Sequence, residues 1–294
     1  MIENETKFIG DDAMKTLVWN VNFKGGTEKY GASTELMKFR NVISEENVDA
    51  VILDEFYKTD DYPMFKQTLE SEGFFVVEDG REAKVGVNQV LIALKKNRFN
   101  SINFESVCYP TITENGLNYL AVEVELDGIP TVIIGIRIFD HNITVKGNTV
   151  DSYKVCRKNF DELIKMINTY QNKSFTVICG GDFNHARILG LTTKFYSDDE
   201  LKKSYTRNDG DLAIQYEGGY SYHHIKNISK DNELILGTPE QGNSYRRNKL
   251  DHFLVSENVQ LSDLRYEWKK DSSERYLSDH AVLLAVISVQ KKKG

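Results

Sequence analysis

Apolar and polar positions along the chain follow two periods. Short apolar runs bounded by glycine, asparagine or aspartate occur at 16–21, 48–53, 74–78, 87–95, 102–109, 119–126, 130–138, 174–179, 250–255 and 281–288, and each predicts a strand. Asp127-Gly128 reads as the turn between two of them. Apolar residues at helical spacing predict helices over 34–46, where Leu36, Phe39, Val42 and Ile43 share a face, and over 62–72. The clearest helix is 151–170, with Tyr153, Cys156, Phe160, Leu163, Ile164 and Ile167 on one face and Asp151 as its N-cap. Residues 186–247 are rich in Tyr, Asp, Gly and Asn, carry neither period clearly, and are expected to be loops.

So many strands with so few helices between them predict two sheets packed face to face. The hydrophobic content of 40% suffices for a sizeable core, and with only 4 prolines no low-complexity linker divides the chain. The expected organisation is a polar lead-in over 1–14, a single domain over 15–290 and a basic tail over 291–294. The formal charge of −7, from 37 basic and 44 acidic side chains, argues against a scaffold that grips duplex nucleic acid by neutralising phosphates. It leaves room for an enzyme that meets an anionic substrate briefly through a local patch or a bound cation. Cys108, Cys156 and Cys179 have neither disulfide-framework numbers nor zinc-ligand spacing, and read as buried reduced thiols. There is no signal-like N-terminal stretch and no run of about 18 apolar residues that could span a bilayer, so a cytoplasmic protein without membrane contact is expected.

Chemistry gathers where the apolar runs end. VICGGDFNHAR at 177–187 breaks at two glycines and presents Asp182, Asn184 and His185. TLVWNVNF ends with Asn20 and Asn22, DAVILDEF with Asp54 and Glu55, NKLDHFLVS carries Asp251, and Asp279 and His280 stand just before the last apolar run. Polar groups at strand ends are a usual place for chemistry in layered α/β proteins.

This ordered series, WNVN, LDE, GGDFN, LDHF and SDH, resembles the endonuclease/exonuclease/phosphatase superfamily, the DNase I-like metal-dependent phosphoesterases, over nearly the whole chain. The resemblance implies an α/β fold, a four-layer α/β sandwich of two mainly antiparallel sheets flanked by helices. It also implies a magnesium-dependent phosphodiester hydrolase, with manganese as a possible substitute. A nuclease with nucleic acid as substrate is the first expectation. A phosphatase or phosphodiesterase for a nucleotide or inositol phosphate is the alternative, and a silent binding protein a third. A hard cation suits this chemistry because it polarises a phosphoryl oxygen and activates water, and magnesium takes oxygen ligands, commonly one or two carboxylates.

By the resemblance, Glu55 is the principal metal ligand, Asn20 ligates or orients, and Asp279 is a direct or outer carboxylate. Asp182 activates or orients the attacking water, or protonates the leaving group. Asn184 hydrogen-bonds a phosphate oxygen, and an extended backbone would point it the same way as Asp182. Asp251 pairs with His280, fixing its tautomer and favouring the imidazolium. Asn22 takes a supporting, substrate-side role. His185, His223, His224 and His252 lack such context and are expected to be structural or at the surface, and His141 is unassigned.

Two departures stand out. Arg137 occupies the position where the family strand usually ends in His or Tyr, sharing a face with Ile133 and Gly135 while Val132, Ile134, Ile136 and Ile138 share the other. It is either a bidentate phosphate clamp or a structural ion paired with Asp140 or another acid. Second, no Trp precedes the LD motif. Arg246, Arg247 and Lys249 lie there instead, and LKKNR at 94–98 forms another basic cluster; each could track a nucleic-acid backbone or be solvated surface charge.

Overall fold

The computed structural model describes residues 13–22, 36–78, 89–99, 102–105, 118–138, 143–145, 148–150, 152–184, 188–189, 222–246 and 248–291. In chain order the elements are β1 (Met14–Asn20), α1 (Leu36–Glu46), β2 (Ala50–Phe56), α2 (Tyr62–Ser71), β3 (Phe74–Glu78), β4 (Gln89–Lys95), β5 (Ile102–Glu105), β6 (Asn118–Leu126), β7 (Ile129–Arg137) and the short pair β8 (Ile143–Val145) and β9 (Asn148–Val150). Then come α3 (Ser152–Asn172), β10 (Thr176–Asp182), β11 (Ile188–Leu189), α4 (Tyr222–Asp231), β12 (Leu234–Gly237), β13 (Asn248–Lys249), β14 (Asp251–Ser256), β15 (Val259–Glu267) and β16 (Val282–Val289).

Two six-stranded sheets form, with strand orders β15-β16-β1-β2-β4-β3 and β12-β14-β10-β7-β6-β5. Each has one parallel pair at its centre, β1 with β2 and β10 with β7, and is otherwise antiparallel. Strand alternation divides the apolar residues into three layers of core. Val18, Ile52, Ile92, Leu120, Ile133, Ile178, Phe253 and Leu283 meet between the sheets. On the outer face of the first sheet, Leu17, Trp19, Val51 and Leu284 pack against Leu36, Phe39 and Ile43 of α1 and Phe65 and Leu69 of α2. On the outer face of the second, Val132, Ile134, Val177 and Leu254 pack against Phe160, Leu163 and Ile167 of α3 and Ile225 of α4. The result is the expected four-layer sandwich. Among the described residues no helix is long and apolar enough to cross a membrane.

The structure departs from the sequence expectations in several places. Within 186–247, α4 and β12 are regular elements rather than loops. The helix is polar almost throughout, and its burial rests on Ile225. Strand β15 was not expected at all. It is a sheet edge, buried only at Val259, and a register shift between Ser262 and Arg265, with Asp263 at φ +47°, breaks its alternation. Finally, β2 and β10 run on to Phe56 and Asp182, so Glu55 and Asp182 sit within strands rather than beyond them. Asp151, most of the lead-in, the end of the basic tail, Cys108, and the side chains of Tyr153 and Cys156 lie outside the described residues.

Candidate active site

The site is the polar end of the inter-sheet core. Each central strand keeps its period of two, but the last inward position changes character: Val18 gives way to Asn20, Ile52 to Asp54, Ile133 to Arg137, Ile178 to Asp182, and Val255 and Phe253 to Asp251. All five polar residues are buried. The register places Asn20 opposite Asp54 in one sheet, and Asp182 between Arg137 and Asp251 in the other. Gly180 lets the sheets close just before Asp182, and Gly181 lets β10 lie close against β7 in the same sheet. A Cβ on Gly180 would stand 2.8 Å from Val18 of the facing sheet, and one on Gly181 would stand 1.9 Å from the carbonyl oxygen of Ile136.

Glu55 reaches the same space by breaking the alternation. A register shift between Leu53 and Phe56 and a left-handed backbone (φ +48°) at Glu55 turn its side chain inward. There its Oε1 accepts hydrogen bonds from Arg137 Nε at 2.7 Å and Asn20 Nδ2 at 3.2 Å. The Asn20 amide also donates to Asp182 Oδ2 at 2.9 Å, so one carboxamide ties together carboxylates from both sheets. Asn20 Oδ1 accepts the backbone N–H of Asn22, which has φ +39°.

Asp182 and Asn184 are not related by an extended backbone as expected. Asn184 adopts φ +46°, its N–H donates to Asp182 Oδ1 at 2.7 Å, and its side-chain amide donates to the carbonyl of Ile138 at 2.7 Å. A local Asx turn wins over strand extension, as short carboxylates permit.

His280 Nδ1 meets Asp251 Oδ2 at 2.9 Å. Several contacts hold this pair. Ser278 donates its hydroxyl to the carbonyl of Asn20 and accepts the N–H of His280, while Trp19 Nε1 donates to the His280 carbonyl at 3.0 Å. On the other side, Ser244 Oγ accepts the N–H groups of Leu250 and Asp251, and the Ser244 carbonyl accepts that of Ala281. The Tyr245 ring lies 4.8 Å from the imidazole, and the Arg246 guanidinium lies 5.0 Å over that ring. The sequence reading missed Ser244, Tyr245 and Ser278. Of these, only Ser278 had a visible signal, its place in SDH.

Burial and charge set the ionisation of the cluster. Burial alone would depress the imidazolium of His280, but Asp251 overrides it and pushes the pKa up to about 10. Burial drives the carboxyl of Asp182 up; His280 and Arg137 pull it back, Asp251 and Glu55 oppose them, and it settles at about 7. Burial would raise the carboxyl of Glu55, but Arg137, His280 and the Asn20 amide together outweigh it and hold the group below its usual range. Asp54 goes the other way, raised well above the usual range by burial and then by Asp182 and Asp251.

The donor set fits a hard divalent cation. Asp54, Glu55, Asp182 and Asp251 carry four negative charges when ionised, against two positive charges from Arg137 and protonated His280. The acidic excess suits a cation as counter-charge. Among the described residues no three His, Cys, Asp or Glu side chains converge as a ready-made cage. That is compatible with magnesium, which keeps several waters and takes one or two carboxylates. Asp279 adds another carboxylate beside His280, and its Oδ1 is buried without a hydrogen bond among the described residues.

The remaining candidates scatter. Arg246 is exposed beside Tyr245, and Arg247, His141 and His185 lie outside the described residues, as do the side chains of His223 and His224. Lys249 is fully buried and caps the carbonyls of Pro239 and Glu240, and His252 is buried against Thr238. The 94–98 cluster sits at the far end of the first sheet, where Leu94 pairs with Ala50, and Arg98 pairs with Asp127 there.

Comparison with known proteins finds no matching family model and no matching curated protein. Solved structures do match. Zebrafish (D. rerio) TDP2 complexed with single-strand DNA product aligns over 95% of this chain and 100% of that one at 17% identity and a TM-score of 0.56. The 3' phosphatase NExo from Neisseria, bound to product DNA hairpin, aligns over 95% and 100% at 16% identity and 0.62. The human Nocturnin catalytic domain with bound sulfate anion aligns over 95% and 94% at 17% identity and 0.58. The chain has the DNase I-like fold. Within that fold, the buried cluster lies at the ends of the two central parallel strand pairs.

Proposed function

We propose that this DNase I-like chain is a divalent-cation-dependent phosphodiester hydrolase acting on nucleic acid, with magnesium as the cation and manganese as a substitute. The observation that carries this reading is the inter-sheet cluster itself. Carboxylates, carboxamides, a guanidinium and an imidazole are buried together at one end of the inter-sheet core.

A cation held by Glu55, with Asn20 and Asp279 near it, would supply charge to a phosphoryl oxygen and acidify water. The chain's own residues do the rest. Asn20 fixes Glu55 and Asp182 relative to each other. Asp182, with its pKa near 7, accepts the proton of the attacking water while the bond from phosphorus to the leaving oxygen breaks. His280, protonated at neutral pH and aimed by Asp251, donates to a phosphoryl oxygen and offsets its charge. Asn184 offers its second amide hydrogen without adding charge. Arg137 and Asn22 line the substrate side.

Nucleic acid is favoured because Tyr245 and Arg246 flank His280 with a ring and a guanidinium, the pair of groups that single strands use for stacking and phosphate contact. The DNA carried by the TDP2 and NExo structures supports the same class. The test is incubation with plasmid, single-stranded DNA, RNA and a bis-aryl phosphodiester, each with magnesium and with chelator. Magnesium-dependent cleavage of a polynucleotide, lost in His280→Ala, is expected. Turnover undiminished in chelator, or hydrolysis of the aryl diester alone, overturns the reading.

A further inference from the structure

Asp54 has no role in the scheme above, yet among the described residues it is the one side chain with two buried oxygens that lack a hydrogen bond. Its side chain is 0% exposed, and neither carboxylate oxygen has a hydrogen-bond partner among the described residues. Buried polar atoms are nearly always paired, because an unpaired one forfeits its hydration. An orphaned pair of oxygens on one carboxylate therefore calls for a missing partner. Its direction is fixed by the strand. Asp54 follows Ala50 and Ile52 on the inter-sheet face and stands opposite Asn20, whose amide joins Glu55 to Asp182.

We propose that Asp54 is a direct ligand of the divalent cation, so that two consecutive carboxylates of one strand, Asp54 and Glu55, hold it together. Consecutive strand residues normally face opposite ways. Here the register shift and the left-handed φ at Glu55 bring both to one side. Such a backbone costs on the order of 1 kcal/mol or more in a residue other than glycine, asparagine or aspartate, and strain of this kind collects at functional sites. Two carboxylates also match the number with which magnesium is commonly held, the rest of its shell being water.

This inference rests on the cation-dependent reading above, and the experiment separates the two. Manganese is titrated calorimetrically into the full chain, its Asp54→Asn variant and its Glu55→Gln variant, and melting is followed in chelator and in manganese. Asp54→Asn is expected to fold and to melt close to the parent in chelator, since the carboxamide fills the same volume and breaks no side-chain hydrogen bond among the described residues. It is expected to bind manganese about ten-fold or more weakly and to gain correspondingly less melting temperature from it. Binding within about two-fold of the parent overturns the role of Asp54 alone, while a parent that binds no manganese overturns the cation reading itself. Anomalous diffraction from parent crystals soaked in manganese decides direct ligation whatever the variants do. A peak about 2.1–2.2 Å from an Asp54 oxygen supports it, and a peak separated from Asp54 by a water layer refutes it.

Discussion

Arg137 and Glu55 meet across the gap between the two sheets, with the guanidinium Nε 2.7 Å from Oε1 and both side chains nearly excluded from solvent. The pairing joins the residue at which this chain leaves the family pattern to the expected metal ligand. Removing one member of a buried pair strands the other, at a cost of roughly 3–5 kcal/mol. Arg137→Ala should therefore melt several degrees lower in chelator, and a divalent cation should recover part of the loss by taking over the charge of Glu55. Thermal melts with and without manganese check this. An unchanged melting temperature in chelator would show that the pair contributes nothing.

Glu55→Gln keeps an acceptor for Arg137 and Asn20 but removes the charge. It should fold, lose most turnover, and lose most of the melting-temperature gain that magnesium gives the parent. Activity assays beside melts at several magnesium concentrations measure both. A variant stabilised by magnesium as strongly as the parent would remove Glu55 from the cation site.

Asp251→Asn tests the histidine pair. His280 has its pKa raised to about 10 by Asp251 against the effect of burial. The stability this contributes is complete below the ordinary histidine pKa, about 6.5, and is lost as pH rises through about 10. Without the carboxylate, burial dominates and the imidazole is neutral at neutral pH. The variant should lose about ten-fold to a thousand-fold in turnover. Its His280 ring resonance should titrate below neutrality, whereas the parent's should hold to about pH 10. Equal titration in both would break the assignment.

Asp182 supplies a pH test of opposite kind. Its carboxyl is raised to about 7 in the folded chain, so its contribution to stability is complete below the unfolded carboxylate value and falls away as pH rises through about 7. In chelator, Asp182→Asn should match the parent near pH 4 and become increasingly more stable than it up to about pH 7, by on the order of a few kcal/mol. Above that the difference should level off. Denaturant melts across this range check the sign. A difference that shrinks with rising pH would mean that the carboxylate is stabilised in the fold.

The legible parts of the sequence were those governed by strand and helix periods. Ile133 and Arg137 fall on one face of β7 and Ile134 and Ile136 on the other, as alternation requires. The four layers came from the family resemblance, since periodicity alone does not stack sheets and helices in order. What escaped was set by departures from a period. Glu55 faces inward through a bulge, Asn184 turns through a left-handed residue, and β15 loses its alternation at a register shift. Asp54 was readable in principle. It stands two residues after Ile52 on a strand with a period of two, but the neighbouring Glu55, matched to the family's metal position, drew the assignment away from it.

Trp19 gives the molecule a reporter of its own. It is one of only two tryptophans, its indole is fully buried against Phe39, and its N–H is bound to the carbonyl of His280. Any ligand that shifts the backbone of His280 also pulls on the one polar atom of this fluorophore. With Trp268 replaced by Phe, emission from the remaining indole would turn occupancy of the candidate site into an optical signal read without a labelled substrate, and its stopped-flow trace would time the binding of an added cation and of an added polynucleotide separately.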